Sequence, residues 1–271
     1  MKILALGDVV GERTLPYLRE NLGAARRNLS ADLVIANGEN VCDIHGLSPA
    51  CASALFDSGV DLITGGNHIF DRRDVTSLLE DDRRILRPAN YPPECPGMGS
   101  GVVTSADGYR VLAVNVSGRV FMDALDDPFR AVERELASQR GRYDFAVLDI
   151  HAEATSEKLA LALFFDGRFS AVFGTHTHVQ TADARVLPGG SGYLSDLGMT
   201  GPIESVLGVR AELVIPAEGI LGVESADVIG RFTTKMPHRF HVAEGRIEAQ
   251  GALFDIDPVT GRCREVRPVR F

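Results

Sequence analysis

Ala31-Asp-Leu-Val-Ile-Ala-Asn-Gly-Glu-Asn40 is a short apolar run that halts at a glycine and then presents a carboxylate and an amide. The same arrangement recurs on either side of it. Lys2-Ile-Leu-Ala-Leu-Gly7 leads to Asp8, and Val60-Asp-Leu-Ile-Thr-Gly-Gly66 leads to Asn67-His68. Runs this short and this continuously apolar read as buried strands, as in a sheet covered on both faces by helices. A helical stretch from about Thr14 to Asn28 separates the first two. Ser48-Pro49 supplies an N-cap and a first-position proline for a second helix running to Gly59.

Farther along, the pattern changes. Gly101-Val-Val-Thr-Ser-Ala-Asp-Gly-Tyr-Arg-Val-Leu-Ala-Val-Asn-Val116 is two alternating runs around Asp107-Gly108, a hairpin signal. A helix over roughly Asp127–Gln139, a strand ending Val-Leu-Asp-Ile-His151, a helix from about Thr155 and a strand before Gly174 follow. Ala184-Arg-Val-Leu-Pro188 and Gly192-Tyr-Leu-Ser-Asp196 flank a Pro-Gly-Gly-Ser-Gly turn, and residues 238–245 and 246–257 read as strands. A chain that begins βαβ and ends in antiparallel strands predicts a mixed-sheet α/β sandwich. The 271 residues carry no linker or low-complexity block and are expected to form a single domain, 1–271. Ser205–Ile215 is echoed by Gly219–Ile229, which reads as a small tandem duplication.

Composition narrows the function. The chain holds 28 Lys+Arg against 37 Asp+Glu, a formal charge of −9, so no long nucleic acid grip is expected. Small phosphorylated ligands stay open, because bound dications reverse a local field. No apolar run nears the ~18–20 residues of a membrane span, and the stretch before Asp8 is too brief for a secretory signal. Cys42, Cys51, Cys95 and Cys263 contain no Cys-x-x-Cys pair, which predicts reduced thiols in a cytoplasmic protein.

The polar residues that end strands carry the chemistry. Asp8, Glu39-Asn40, Asn67-His68, His151 and His176/His178 each follow an apolar run, and ligand sites gather beyond the carboxyl ends of strands in open α/β sheets. Alone, each has a bland reading as a turn or cap residue. His176 and His178, at i and i+2, would share one side of an extended segment and face one metal centre. Four of the seven histidines fall in this pattern. His238 and His241 read as structural residues of a late strand, and His45 as a solvated loop histidine able to approach the site. Carboxylate, amide and imidazole ligands without thiolates suit iron, manganese or zinc. Glu39 could bridge two such ions, a bridging hydroxide would attack phosphorus in line, and His68 could protonate the leaving oxygen. The chain has no P-loop and no Gly-x-Ser-x-Gly elbow.

With these residues in place, the chain resembles the calcineurin-like metallophosphoesterases and, within them, the YmdB-like branch. The resemblance rests on Gly7-Asp8-Val-Val-Gly11, Asn37-Gly-Glu-Asn40, Gly66-Asn67-His68, Arg87-Pro-Ala-Asn90, His151-Ala-Glu-Ala-Thr-Ser-Glu-Lys158, Gly174-Thr-His-Thr-His-Val179 and Asp196-Leu-Gly-Met-Thr-Gly-Pro202. It implies a four-layer α/β/β/α sandwich of two mixed β-sheets flanked by helices. It also implies one metal on Asp8, Glu39, Asn40 and His178, a second on Glu39, Asn67, His151 and His176, and His68 as proton donor. Val10 stands where the wider superfamily has the histidine of Asp-x-His, and Asn40 looks like the substitute. Iron is the first expectation and manganese the second. The implied activity is hydrolysis of 2′,3′-cyclic nucleotides or related small phosphodiesters by a homodimer or homotetramer. Two segments depart from the family pattern: Gly11-Glu-Arg-Thr14, where a Pro-Gly-Arg element is usual, and the duplicated 205–229 region. The competing readings are a regulatory protein that docks a partner such as RNA-processing machinery, and a phosphomonoesterase with the same site.

Overall fold

The computed structural model describes residues 1–43, 45–205, 235 and 242–271. The 205–229 echo beyond Ser205, and both His238 and His241, lie outside those residues. In chain order the described elements begin with β1 (Lys2–Leu6), β2 (Asp8–Val9), α1 (Thr14–Leu29), β3 (Leu33–Asn37), α2 (Pro49–Ser58), β4 (Leu62–Thr64) and α3 (Val75–Asp81). There follow β5 (Ser100–Thr104), β6 (Arg110–Ser117), α4 (Pro128–Ser138), β7 (Phe145–His151), α5 (Thr155–Phe164) and β8 (Ala171–Thr175). The last are β9 (Arg185–Val186), β10 (Gly192–Leu194), β11 (Met199–Pro202), β12 (Ile247–Glu248), β13 (Gln250–Ile256) and β14 (Cys263–Arg270).

Local chemistry starts and stops the helices. The Ser48 side chain accepts the Cys51 N–H at 3.2 Å and Pro49 opens α2, while Asp127 accepts from Phe129 and Arg130 ahead of Pro128 in α4. α2 ends at Gly59 with φ +107°, a left-handed stop that favours glycine.

Two large mixed sheets, ordered β14-β13-β1-β3-β4 and β5-β6-β7-β8-β10-β9, are joined by a small sheet β12-β11-β2. Side-chain alternation along each strand assigns its residues to layers. Leu4 and Leu6 of β1, with Val34 and Ile63, meet Leu18, Leu22 and Leu55 of the helices. Ile3 and Ala5, with Leu33 and Ile35, face Val111, Ala113, Val147 and Phe173 of the second sheet. Leu112, Val114, Leu148 and Ile150 on that sheet's far face pack on Val132 of α4 and Leu161 of α5. Each buried Val, Leu, Ile or Phe side chain among these contributes roughly 1.5–3 kcal/mol relative to exposure. The result is the four-layer α/β/β/α sandwich of the calcineurin-like fold. One expectation needs correcting: helices cover only one face of the first sheet, and the other sheet covers its second face. A buried apolar run looks the same whether a helix or a strand lies over it.

Register positions the site. β1, β3 and β4 run parallel, with Leu6 level with Ala36 and Asn37 with Thr64. β6, β7 and β8 run parallel, with Ser117 level with His151 and His151 with Thr175. The carboxyl ends of both triplets are therefore flush. β11 pairs parallel with β2, Met199 against Asp8, bringing the Asp196–Pro202 loop to the same edge.

Candidate metal centre

Seven side chains meet at this edge. The backbone leaves β1 through Gly7 to Asp8, whose carboxylate is fully buried. Glu39, also fully buried, sets Oε1 3.0 Å from His151 Nε2. That nitrogen lies 2.9 Å from Asn67 Oδ1 and 3.1 Å from His176 Nδ1. On the other side, His178 Nε2 stands 3.5 Å from Asp8 Oδ1 and 3.4 Å from the Asn40 amide, which reaches Glu39 Oε1 at 3.3 Å. Gly66 makes room: a Cβ there would stand 2.3 Å from His151 Nε2 and 2.5 Å from Glu39 Oε2.

The two histidines of the Gly174–His178 segment differ from the extended geometry expected of them. β8 stops at Thr175, and His176 and His178 adopt φ of +98° and +62°. Non-glycine residues hold such angles only where the surroundings over-determine them. Those surroundings are visible. The His176 N–H donates to Asp8 Oδ2 at 3.0 Å. The Thr177 N–H and hydroxyl donate to Asp196 Oδ2 at 3.1 and 2.8 Å. As a result the imidazoles diverge, His176 toward His151 and His178 toward Asp8 and Asn40.

Charge in the cluster is tightly coupled. Burial pushes Asp8 and Glu39 upward, but their histidine neighbours prevail. His178 and His151 hold Asp8 well below the usual carboxylate range, and His151 keeps Glu39 below its ordinary value. Burial opposes charge on His151, yet the Glu39 and Asp8 carboxylates raise it to about 9. His176 is lowered to about 4 by burial and then by His151. The protons thus placed are those that a bound metal ion would displace. Asp8 Oδ1 is buried without a hydrogen-bond partner, the kind of orphan that calls for an explanation such as an ion. Imidazole nitrogens, carboxylates and amide oxygens crowded within about 3–4 Å fit such an ion; Glu39, His151 and His176 alone bring ligand atoms within 4.8 Å of one another.

His68 sits at the rim. Its backbone N–H donates to Glu39 Oε2 at 2.8 Å, and its Nδ1 lies 2.8 Å from Asp71 Oδ2. His45 is exposed on its loop, as its sequence position suggested, and it also approaches the site. Its ring stacks on His68 with centroids 3.8 Å apart and planes at 16°, and its Nδ1 lies 3.2 Å from Asn40 Oδ1.

Sequence reasoning gave no roles to the supporting shell. Lys158, fully buried on α5, pairs with Asp196 at 2.8 Å and thereby fixes the carboxylate that shapes the His176–His178 turn. Asp149 accepts hydroxyl hydrogens from Thr64 at 2.5 Å and Thr175 at 2.8 Å, and Thr175 Oγ1 lies 2.9 Å from His151 Nδ1. Burial raises Asp149 to about 7. The fully buried Asn90 bonds both the N–H and the carbonyl of Ser117, pinning the end of β6. The only signal for Lys158 and Asn90 was their place in the quoted motifs.

The sandwich and this edge cluster define a phosphoester hydrolase. A model of the YmdB-like protein family matches residues 4–217 and 215–269. The chain is 40% identical over 269 residues to the 2′,3′-cyclic-nucleotide 2′-phosphodiesterase of Bacillus subtilis, covering 99% of this chain and 96% of that one. A hypothetical protein from Thermus thermophilus superposes with a TM-score of 0.88 at 40% identity, covering 100% of this chain and 99% of the other. A structure described as a novel phosphatase from Mycoplasma pneumoniae does so with 0.87 at 31%, covering 100% and 93%. The chain belongs to the YmdB-like family. Among the described residues, no helix is long and apolar enough to cross a membrane.

Proposed function

We propose that this protein is a dimetal-dependent phosphodiesterase for 2′,3′-cyclic nucleotides or related small phosphodiesters. The observation that carries the proposal is the convergence of seven potential ligands on the buried Glu39, His151 and Asp8, whose Oδ1 accepts no hydrogen bond. Asp8, Glu39, Asn40 and His178 would hold one ion, and Glu39, Asn67, His151 and His176 the other. Iron is the first expectation and manganese the second, on the strength of the oxygen and imidazole donors. Bound there, the ions supply Lewis-acid stabilisation of phosphoryl charge and acidify the attacking water.

The chain's own groups supply the rest. Asp71, accepting from Nδ1–H of His68, leaves Nε2 as the nitrogen able to give a proton to the departing alkoxide. The His45 ring closes one face of that imidazole and keeps it in place. Burial of Glu39 and Asp8 excludes water from the carboxylates, so their charge acts at full strength on whatever occupies the site. The substrate class follows the name of the Bacillus subtilis relative.

The test is the metal content of protein purified without added metal, together with turnover of 2′,3′-cAMP and bis(p-nitrophenyl) phosphate. The reading expects bound iron or manganese, chelator-sensitive diesterase activity, and loss of more than about 100-fold in Glu39→Gln, because even partners of metal ligands typically cost 10–100-fold. Undiminished turnover in Glu39→Gln refutes it. Because the Mycoplasma pneumoniae structure is described as a phosphatase, p-nitrophenyl phosphate belongs in the same assay; preference for that monoester would favour the phosphomonoesterase reading.

A further inference from the structure

Two cysteines lie just outside the cluster. Cys42 follows Asn40 by two residues, and Cys51 sits in the first turn of α2. Their sulfurs are 2.8 Å apart, and the side chains are 1% and 3% exposed. Both backbones are fixed: the Cys42 N–H donates to the Gly46 carbonyl at 3.1 Å and the Cys51 N–H to Ser48 Oγ at 3.2 Å. The exposed Glu12 places Oε1 3.7 Å from Cys51 Sγ, so the pair lies one side chain beneath the surface.

Glu12, Cys42 and Cys51 together could suggest a metal site. The sulfur separation argues otherwise. Two thiolates on one tetrahedral zinc, each at about 2.3 Å, stand about 3.8 Å apart, well beyond the 2.8 Å observed. A disulfide, at about 2.05 Å, requires the sulfurs to approach by under 1 Å, which side-chain rotation supplies.

We propose that Cys42 and Cys51 form a peroxide-responsive dithiol, a modification site that reversibly ties the loop bearing Asn40 and His45 to α2. A hydroperoxide is the oxidant, because a buried pair beneath one side chain admits a small molecule more readily than a bulky disulfide. One sulfur attacks the peroxide O–O bond, which breaks; an S–O bond forms, and water leaves with the thiol proton. The second sulfur attacks the sulfenic sulfur, the S–S bond forms, and the hydroxyl departs as water with the second thiol proton. Two electrons from the sulfurs reduce one hydrogen peroxide to two waters. The closed ring spans residues 42–51 and encloses His45.

The test treats the protein as isolated with stoichiometric hydrogen peroxide, followed by thiol counting under denaturing conditions, peptide mapping and a thermal melt. The four thiols should fall to two, a Cys42–Cys51 cross-link should appear with a mass loss of about 2 Da, and dithiothreitol should restore all four. The cross-link should raise Tm by about 5 °C, a rise absent from Cys51→Ala and equally from Cys42→Ala. An unchanged thiol count, sulfinic acid on either residue in the wild type, or a link to Cys95 instead would overturn the proposal.

Discussion

Removing one charge of the Lys158–Asp196 pair isolates what holds the His176–His178 turn. Nζ and Oδ2 are 2.8 Å apart with side-chain exposures of 0% and 1%. At an effective dielectric near 20 their attraction is about 6 kcal/mol, which desolvation of two ions largely offsets. Lys158→Met keeps the volume but leaves Asp196 charged and buried, a defect that typically costs 3–5 kcal/mol. Asp196 retains hydrogen bonds from Thr177 and Gly198, so the lower end, about 3 kcal/mol, is expected. Urea unfolding at fixed metal and protein concentration measures it. Burial already sets Asp196 above its ordinary value; with a raised folded pKa, stability is greatest when the group is protonated and falls as pH rises through that value. The loss should therefore shrink toward pH 4. Lys158→Met/Asp196→Asn removes the uncompensated charge while the amide oxygen still accepts from Thr177, and should recover at least half. A single variant within about 1 kcal/mol of wild type, or a double variant no better than the single, would refute the argument.

Other substitutions probe the rim and the inner shell. His68→Ala should slow 2′,3′-cAMP hydrolysis by about 10²–10⁴-fold but bis(p-nitrophenyl) phosphate hydrolysis far less, since p-nitrophenolate leaves without a proton; Asp71→Ala should repeat that pattern more weakly. Equal losses on both substrates would exclude His68 as the proton donor. His45→Ala should lower kcat/KM for the cyclic diester by about 2–10-fold, the size of a lost ring stack, and an unchanged value would make the stack incidental. In metal-free protein, Asp149, raised by burial to about 7 from an ordinary 3.8, binds its proton more tightly folded than unfolded. Stability should then decline by a few kcal/mol from pH 4 to 7, and Asp149→Asn should flatten the decline; an equally steep curve in the variant would assign the slope to other groups.

The first sheet was legible because its strands are written in one local grammar: an apolar run, a glycine, a proposed ligand. Glycine at 7 and 66 is needed where backbone or ligands crowd, with a Cβ at Gly7 falling 2.0 Å from the Gly198 carbonyl oxygen. Residues placed by distant partners were not legible. The φ of His176 and His178 is set by Asp8 and Asp196, far away in sequence. Lys158 on a helix reads as a solvated cation, and only the sheet packed over α5 makes it a buried one. β14, Cys-Arg-Glu-Val-Arg-Pro-Val-Arg, went unnamed because arginines and Pro268 mask the alternation; as an edge strand it tolerates both.

These two kinds of residue divide the labour of the site. Proposed ligands that leave a strand directly, such as Asp8, Glu39 and His151, inherit their positions from the hydrogen-bonded register and need no support beyond the sheet. His176 and His178 lie beyond the end of β8 in unfavourable backbone conformations, so the cost of holding them falls on the Asp196–Lys158 pair and the Asp8 carboxylate. Damage to a strand core should accordingly lower stability and leave the cluster's geometry intact in molecules that still fold. Damage to Lys158 or Asp196 should disturb metal affinity in protein that is folded, because the turn can relax toward ordinary φ while both sheets persist. Metal titration of folded Lys158→Met, compared with a core variant such as Ile35→Val, separates the two: equal affinity in both would mean that register alone positions the histidines.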